Sequence, residues 1–498
     1  MATVKWIKAG PTKAFFVRML TRDIELADSI LDLLDNCVDG VIRELKRRGQ
    51  TTGTGKPYRG FSAQIIATPD RFEITDNCGG IPEDIAERSA FMLGRPDTER
   101  DADLETVGMY GIGMKRAMFK MGRHSIVVSQ PDSGPYKVEI PPDWLDEEAQ
   151  PETQSSSHDP WQLPLESLTD GLVENGTRIT ISQLHPEIAY QFDTEESSFL
   201  PDLEKDIARH YALILQKGFS VTLNEHKITP VSLSLLSPDH IGATEPPSIE
   251  PYVFAGKING VHVDLAVGFY RPLATEAELE DEEFVKSKSE NAGWTVICND
   301  RIVLYNDKTY KTGWGTKGVT PGYHNQFISI RGIVSFRATD SMALPLNTTK
   351  RGLATDSTLY QAVIDHMRNG LKYFTSFTNR WKKREEETTA MFDSLSQRTL
   401  SQIVGRVEVA KLSPLRAQPG VRQYVPELPK PEPQQKQRRI CFAADQEDIE
   451  TVAEYYFDDP EHDGAEVGKR VAVHSEIGTF GRFPVDEGGS RVGGWLGW

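Results

Sequence analysis

The chain of 498 residues is too long for one hydrophobic core, so two or three domains are expected. Its net charge of −17 and hydrophobic fraction of 38% are typical of an acidic globular protein and argue against a general coat for nucleic acid. A local basic groove remains compatible with this charge, because binding follows the local field. The 4 cysteines form no CxxC pair, so neither a zinc site nor a disulfide framework is predicted.

The N-terminal sequence MATVKWIKAG lacks the apolar core of a signal peptide. No apolar run approaches the roughly 20 residues that cross a bilayer. We therefore expect a cytoplasmic protein without a membrane partner.

Helix and strand patterns follow in chain order. Apolar residues at helical spacing predict one long helix over residues 21–48. FSAQIIA and RFEITDN predict two strands in a hairpin that turns at Pro69 and Asp70. After a glycine-rich stretch that ends at Gly113, MKRAMFKM predicts a helix, and HSIVVSQ, PYKVEI and GTRITIS predict three strands. Residues 141–170, rich in Pro, Asp, Glu and Ser, are expected to be an inserted surface loop.

The second half alternates strands and helices from residue 200 to about residue 355, and a long helix is predicted over residues 357–387. Many Pro and Gln residues predict a linker over residues 413–438. The strand RRICFAA and helices around DIETVAEYYF and EVGKRVAVH are predicted after it. The predicted divisions are residues 1–190 with the insert 141–170, 191–356, 357–412, 413–438 and 439–498.

Three polar residues share one face of the first predicted helix. Asp32, Asn36 and Asp39 stand at positions i, i+4 and i+7. Two interpretations stay open at this point. The triplet is either the solvent side of an amphipathic helix, or the wall of a cleft with an amide oxygen for Mg²⁺ and a carboxylate for a water.

A second cluster follows the predicted hairpin. Asp76 stands at the end of a strand and is followed by Gly79 and Gly80. A carboxylate fixed there can accept a hydrogen bond from an exocyclic amine such as that of adenine, and glycines let a ligand approach the backbone closely. The other interpretation is a plain hairpin turn.

A third cluster, VGMYGIGMKRA, leads into the next helix. Gly108, Gly111 and Gly113 precede free backbone N–H groups that can face phosphates at a helix N-terminus, and Lys115 adds a positive charge. The spacing is neither that of the dinucleotide-binding fingerprint nor that of a P-loop. A three-glycine loop alone is weak evidence for a phosphate site.

In this order the three clusters resemble the N-box, the DxGxG box and the GxxGxG lid-end box of the GHKL ATPase superfamily, which comprises gyrase, heat-shock chaperones, histidine kinases and MutL. Asn175, Gly176 and Thr177 resemble a fourth box that opens a strand. Within the superfamily the chain looks most similar to prokaryotic MORC and MutL ATPases. The resemblance implies an α+β Bergerat fold, a mixed sheet with helices on one face. It also implies that ATP lies under a lid of residues 91–113.

The resemblance also implies roles for single residues. Asn36 would bind Mg²⁺, Asp76 would bind the adenine amine, and Gly80 would allow close approach to the base. Thr177 would support Asp76 and a water at the adenine. Asp39 would give polar support between the helix and the lid.

The phosphates of ATP would lie on the lid-end box, that is on Gly108, Gly111 and Gly113, with Lys115 beside them. Two residues depart from the superfamily pattern. The general base is usually Glu, where this chain has Asp32, and because aspartate is one methylene shorter the attacking water must sit differently or turnover is slow. Cys78 replaces the first glycine of the DxGxG box. Neither departure removes a ligand for Mg²⁺ or adenine.

The segments VICNDRIVL, ISIRGIVSF and LPLNTTKRGL resemble the transducer domain that follows the ATPase domain in MutL, MORC and gyrase relatives. Lys350, in NTTKRG, matches the lysine that reaches the γ-phosphate and would stabilise its oxygens. A surface lysine in a loop is the other interpretation. Arg301 and Arg331 are weaker candidates for structural or nucleic-acid contacts.

We therefore expect a Mg-ATP-dependent conformational clamp that forms a homodimer on ATP binding through its N-terminal segment, residues 3–23, and reopens on hydrolysis. The similarity of the chain to MORC and MutL suggests that it acts on DNA, or with a nuclease or helicase partner, in DNA handling or anti-phage defence. Residues 380–384 either touch DNA or form a solvated helix end. The alternatives are an ATP-binding module with little turnover and a protein-folding chaperone.

Overall fold

In a computed structural model of the protein, the first half of the chain is built around an eight-stranded mixed sheet. The model describes residues 12–50, 52, 55–92, 104–106, 108, 111–145, 161–242, 248–347, 352–382, 384–407, 411–415, 420–431, 446–461 and 467. The strands of this sheet are β1 (Ser62–Ala67), β2 (Arg71–Asp76), β3 (Gly122–Gln130), β4 (Tyr136–Ile140), β5 (Leu165–Ser167), β6 (Gly176–Leu184), β7 (Ser220–Leu223) and β8 (His226–Lys227).

The strands lie in the order β5-β4-β3-β6-β2-β1-β7-β8. β1 pairs with β7 in parallel, and the other neighbours are antiparallel. β1 and β2 form the predicted hairpin, with Ile65 opposite Ile74. β5 lies inside residues 141–170, the segment for which a surface loop is predicted, and pairs with β4.

The helices of this half are α1 (Lys13–Arg22), α2 (Leu26–Arg47), α3 (Glu83–Ile85), α4 (Gly113–Met121), α5 (Pro186–Gln191), α6 (Phe199–His210) and α7 (Ala212–Gln216). Apolar side chains of α2, α4 and α6 share one core with strand residues such as Ile65, Phe72 and Ile181. Along β1 the buried residues alternate with more exposed ones such as Gln64. The helices therefore cover one face of the sheet, which is the predicted α+β sandwich.

The helix predicted over residues 21–48 is interrupted near its start. α1 ends at Arg22, and α2 begins at Leu26 because Glu25 is extended, with φ −73° and ψ 153°. The predicted start of the helix is therefore wrong. α2 nevertheless carries Asp32 and Asn36 on a single uninterrupted helix, as predicted.

A second mixed sheet fills the following part of the chain. Its strands are β10 (Tyr252–Ile258), β11 (Val261–Phe269), β12 (Gly293–Cys298), β13 (Arg301–Asp307), β14 (Ile330–Arg337), β16 (Ser413–Pro414) and β17 (Val421–Tyr424), in the order β13-β12-β14-β11-β10-β17-β16. β9 (Leu235–Ser237) and β15 (Ser396–Arg398) pair separately. β16 and β17 lie within residues 413–438, for which a linker is predicted, and β17 pairs with β10.

The helices around the second sheet are α8 (Glu276–Glu280), α9 (Glu282–Ser289), α10 (Thr358–Trp381), α11 (Glu385–Phe392) and α12 (Leu400–Arg406). α10 packs on one face through residues such as Val363 and Phe374, and α12 packs on the other through Ile403. α10 ends at Trp381, earlier than predicted, because Lys382 is extended with ψ 140°. No described helix is both long enough and apolar enough to pass through a lipid bilayer.

The chain divides into two units, Met1–Pro431 and Glu432–Trp498. The second unit contains α13 (Gln446–Phe457), where a helix is predicted. The predicted strand RRICFAA lies outside the described residues, as does the predicted helix EVGKRVAVH except for Val467. The five divisions proposed from the sequence stay a prediction.

Candidate functional site

One cavity of about 1130 Å³ opens beside α2, the end of β2, the start of α4 and the start of β6. Ten of the residues singled out in the sequence line it: Asp32, Asn36, Asp39, Asp76, Gly80, Gly108, Gly111, Gly113, Lys115 and Thr177. Lys350 lies outside the described residues. The cavity is large enough for a cofactor-sized ligand.

The polar triplet of α2 forms one wall of this cavity. Asp32 and Asp39 are buried, with 5% and 2% exposure, and Asn36 is exposed. A solvent-facing helix side would leave all three exposed, so the triplet is the wall of a cleft. Helical spacing alone puts the three side chains in one row, and the packing of α2 against the sheet turns that row towards the cavity.

Asp32 is paired with an arginine that the sequence analysis did not single out. The guanidinium of Arg116 donates from Nη2 to Oδ2 of Asp32. A Cβ built on Gly113 would lie 3.2 Å from Cβ of Asp32, so the lid-end glycine lets the aspartate approach α4 closely. The sequence feature that could have identified Arg116 is its position three residues after Gly113, on the helix that follows the phosphate-type loop.

Asp39 joins α2 to the lid-end box. Its Oδ2 accepts a hydrogen bond of 2.8 Å from the backbone N–H of Gly108. A Cβ on Gly108 would lie only 2.5 Å from that oxygen. This contact links α2 to Gly108, and the supporting role expected of Asp39 stays a prediction.

Asp76 lies half-buried at the end of β2. Burial raises the pKa of its carboxyl group to about 6. Hydrogen bonds oppose this rise: the backbone N–H of Cys78 donates to Oδ1 at 2.8 Å, and Sγ of Cys37 donates to Oδ2 at 3.6 Å. A hydrogen bond from the backbone of Thr177 also lowers the pKa of Asp76.

Gly80 follows Asp76 in a conformation that favours glycine. Its φ is 73°, and a Cβ built there would lie 2.6 Å from the carbonyl oxygen of Gln130. A side chain would meet both backbone strain and a clash with the end of β3. The turn can therefore keep this shape only with a glycine at position 80.

Lys115 connects the two ends of the predicted lid. Its ammonium donates to the carbonyl oxygen of Ala90 at 2.8 Å and to the carbonyl oxygen of Gly111. Burial lowers the pKa of this lysine to about 8. An ammonium has three N–H donors, so these two contacts leave a third donor over.

Arg301 and Arg331, offered from the sequence as structural or nucleic-acid contacts, are buried with 2% and 3% exposure. Nε of Arg301 donates to Asp35 at 3.0 Å, and Nε of Arg331 donates to the carbonyl oxygen of Asn291 at 2.8 Å. Buried guanidinium groups cannot reach a nucleic acid. Their role is structural.

The residues present fit a magnesium nucleotide. Among the described residues, no group of three or more His, Cys, Asp or Glu side chains forms a metal site of its own. Mg²⁺ that accompanies a nucleotide needs only one or two protein oxygens beside phosphates and waters. The exposed amide of Asn36, which lines the cavity, can supply such an oxygen.

The mixed sheet with helices on one face, and the cavity between α2 and the loop before α4, define a nucleotide-binding α+β domain. Residues 24–166 match the family model of histidine kinase-, DNA gyrase B- and HSP90-like ATPases. This match supports a GHKL-type ATPase domain in this part of the chain, and that family implies binding and hydrolysis of ATP. A comparison with curated proteins finds no match. The closer likeness to MORC and MutL stays a prediction.

Proposed function

We propose that the protein binds Mg-ATP in this cavity and hydrolyses it slowly as a conformational clamp. The observation that carries the proposal is that Asn36, Asp76 and the glycines of the lid-end box, three separate sequence clusters, line one cavity. The match of residues 24–166 to the ATPase family supports the same conclusion. Each cluster alone could be an ordinary structural feature, such as a solvent-facing helix side or a hairpin turn. Such features do not explain why all three clusters line the same cavity.

The proposed roles follow from the chemistry of each group. The carboxylate of Asp76 accepts from the adenine amine, and Asn36 offers an oxygen to Mg²⁺, which neutralises phosphate charge when bound. The N-terminus of α4 gives backbone N–H groups to the phosphates. Asp32 accepts the proton of the attacking water.

Contacts between the two sheets support a clamp that senses the nucleotide. Nδ2 of Asn299, in the β12–β13 turn, donates to the carbonyl oxygen of Thr106 at 3.1 Å, close to the lid-end box. Arg301, at the same turn, holds Asp35, the neighbour of Asn36 on α2. A shift of either nucleotide-binding element would therefore reach the second sheet through one turn.

The wider assignments rest on the resemblance to MORC and MutL. We assign residues 1–190 to ATP binding, 191–356 to a transducer domain in which Lys350 reaches the γ-phosphate, and 439–498 to partner binding. Residues 357–412 would be a helical segment, whereas within the predicted linker, residues 413–438, β16 and β17 belong to the second sheet. ATP-dependent dimerisation, action on DNA and a nuclease or helicase partner in anti-phage defence are part of the same proposal.

An ATP-binding module with little turnover is the second candidate. The pairing of Asp32 with Arg116 favours it, because a carboxylate oxygen that already accepts from a guanidinium is less available to accept the proton of a water. Such a module would close on ATP and gate a partner protein without rapid hydrolysis.

The experiment that tests the proposal measures Mg²⁺-dependent ATP hydrolysis and ATP binding by the full-length protein. Asp32→Ala and Asn36→Ala are compared with Asp202→Ala, a change at an exposed position of α6. Turnover that is lost in the first two variants and kept in the third supports an ATPase. ATP binding without turnover, lost in Asn36→Ala, supports the gating module. A protein that binds no ATP contradicts both, and stimulation of turnover by DNA would support the assigned target.

A further inference from the structure

We propose that Arg116 is shared between Asp32 and the terminal phosphate of the nucleotide, so that the candidate base is released when a γ-phosphate is present. This inference rests on the proposed function. It concerns a residue to which the resemblance to the superfamily assigns no role.

The first observation is the position of Arg116. It lies on α4 three residues after Gly113, lines the cavity, and reaches across to α2. Its ion pair with Asp32 is nearly closed to solvent, since the two side chains are 12% and 6% exposed. The pair therefore joins the phosphate-type loop to the candidate base, and little water screens it.

The second observation is a spare donor. A guanidinium has five N–H groups, and one bond to Asp32 uses only part of them. Nε of Arg116 is buried and has no hydrogen-bond partner within the part of the chain that the structure describes. The guanidinium therefore keeps a donor that the protein leaves unused, and a turn of the side chain towards the lid-end box would present it to a phosphoryl oxygen.

These two observations imply a competition. The carboxylate of Asp32 and a terminal phosphate are both negatively charged, and both would accept hydrogen bonds from the guanidinium of Arg116. ADP lacks the phosphate that would compete. When Arg116 turns towards that phosphate, it no longer donates to Asp32, and the carboxylate can turn towards a water. Arg116 would thus make the contact between Asp32 and a water depend on which nucleotide is bound.

A purely structural ion pair is the other explanation of the same contact. In that case Arg116 only compensates a buried charge between α2 and α4, and no variant would change the preference for ATP over ADP. The two explanations differ in one measurable quantity, the ratio of the affinities for a triphosphate and a diphosphate.

The experiment measures the dissociation constants of Mg-AMPPNP, a non-hydrolysable ATP analogue, and Mg-ADP by titration calorimetry of the full-length protein. Asp32→Asn, Arg116→Gln and the double variant are compared with the unchanged protein. Lys120→Gln removes a cation on the same helix outside the cavity, where its Nζ donates to the carbonyl oxygen of Thr21, and is the matched control. The double variant removes both charges of the buried pair, so it remains informative if Arg116→Gln alone fails to fold.

We expect Asp32→Asn to tighten AMPPNP binding by about tenfold with ADP affinity unchanged, because the analogue then meets Arg116 without a charged competitor. The gain should disappear in the double variant and should not occur in Lys120→Gln. A gain that persists in the double variant would mean simple removal of a negative charge and would overturn the inference, as would a ratio that Asp32→Asn leaves unchanged. If the unchanged protein binds neither nucleotide, the proposed function itself is wrong.

Discussion

Nε of Arg301 donates to Oδ1 of Asp35 at 3.0 Å, and both side chains are 2% exposed. The hydroxyl of Tyr211 donates to the same oxygen at 2.6 Å, and the guanidinium of Arg301 lies 4.3 Å from the centre of the Tyr211 ring. This buried group fastens α2, which carries the candidate Mg²⁺ ligand, to the edge strand of the second sheet. The two sheets are therefore coupled through charge as well as through apolar packing.

Arg301→Met should destabilise the unit Met1–Pro431 strongly. The variant leaves the Asp35 carboxylate buried without its cation, and loss of one partner of such a pair typically costs about 3–5 kcal/mol. The midpoint of urea denaturation, followed by the fluorescence of the tryptophans, measures the loss.

The matched control is Lys205→Met. Lys205 pairs with Asp202 on α6, and both side chains are more than 60% exposed. Solvent screens such a pair, so we expect a change within about 1 kcal/mol. Equal denaturation midpoints for the two variants would contradict the coupling through Arg301.

Binding of Mg-ATP should release protons near pH 6. The pKa of Asp76 is raised by burial from 3.8 to about 6 in the free protein, and a hydrogen bond from the adenine amine favours the ionised form. About half a proton should therefore leave at pH 6, and nucleotide affinity should fall as the pH is lowered further. Titration calorimetry in two buffers of different ionisation enthalpy measures the released fraction.

The same shift has a defined sign for stability. The folded protein holds the Asp76 proton more tightly than the unfolded chain, so the stabilisation is complete below pH 3.8 and is lost as the pH rises through about 6. Asp76→Asn should remove both the proton release and this dependence. Proton uptake at pH 6, or release that persists in the Asn variant, would assign the titration to another group.

Gly80→Ala should disrupt both the fold and the cavity. The φ of 73° costs an alanine roughly 1–2 kcal/mol, and the contact of 2.6 Å with the carbonyl of Gln130 adds an overpacking penalty of about 1–3 kcal/mol. Gly49→Ala is the control, because Gly49 has a φ of 67° with nothing within 4 Å of its Cβ position. Chemical denaturation of the two variants separates strain from clash, and similar losses would show that the backbone near Gln130 yields easily.

Local signals in the sequence were sufficient for some elements. The β1–β2 hairpin and α4 were predictable because their hydrophobic periodicity and the turn residues at their ends lie within a short stretch of sequence. The row of Asp32, Asn36 and Asp39 was likewise readable, because helical spacing fixes it. The break between α1 and α2 could not be predicted from the hydrophobic periodicity, because apolar residues continue through it at helical spacing.

Contacts between distant elements were beyond such reasoning. Arg116 and Asp32 are 84 positions apart, and Arg301 and Asp35 are 266 apart. No spacing rule connects residues at these separations, so their charges alone gave no pairing. The spare donor and the buried carboxylate became visible only when the packing of α4 and β13 against α2 was known.

Lys115→Met should remove one part of the proton exchange that accompanies nucleotide binding, and it should loosen the lid. In the free protein burial lowers the pKa of Lys115 from 10.5 to about 8, and phosphates in the cavity would favour the charged form. Binding of Mg-ATP at pH 8 should therefore take up about half a proton, opposite in sign to the release at pH 6. The same calorimetric titrations measure it.

In Lys115→Met the uptake at pH 8 should vanish while the release at pH 6, which belongs to Asp76, remains. The carbonyl oxygens of Ala90 and Gly111 also lose their shared donor, at a cost of about 1–3 kcal/mol. Faster amide hydrogen exchange in residues 86–92 and 111–113 would report that loss. Loosened exchange with uptake unchanged would mean that Lys115 holds the lid ends together but does not contact the phosphates.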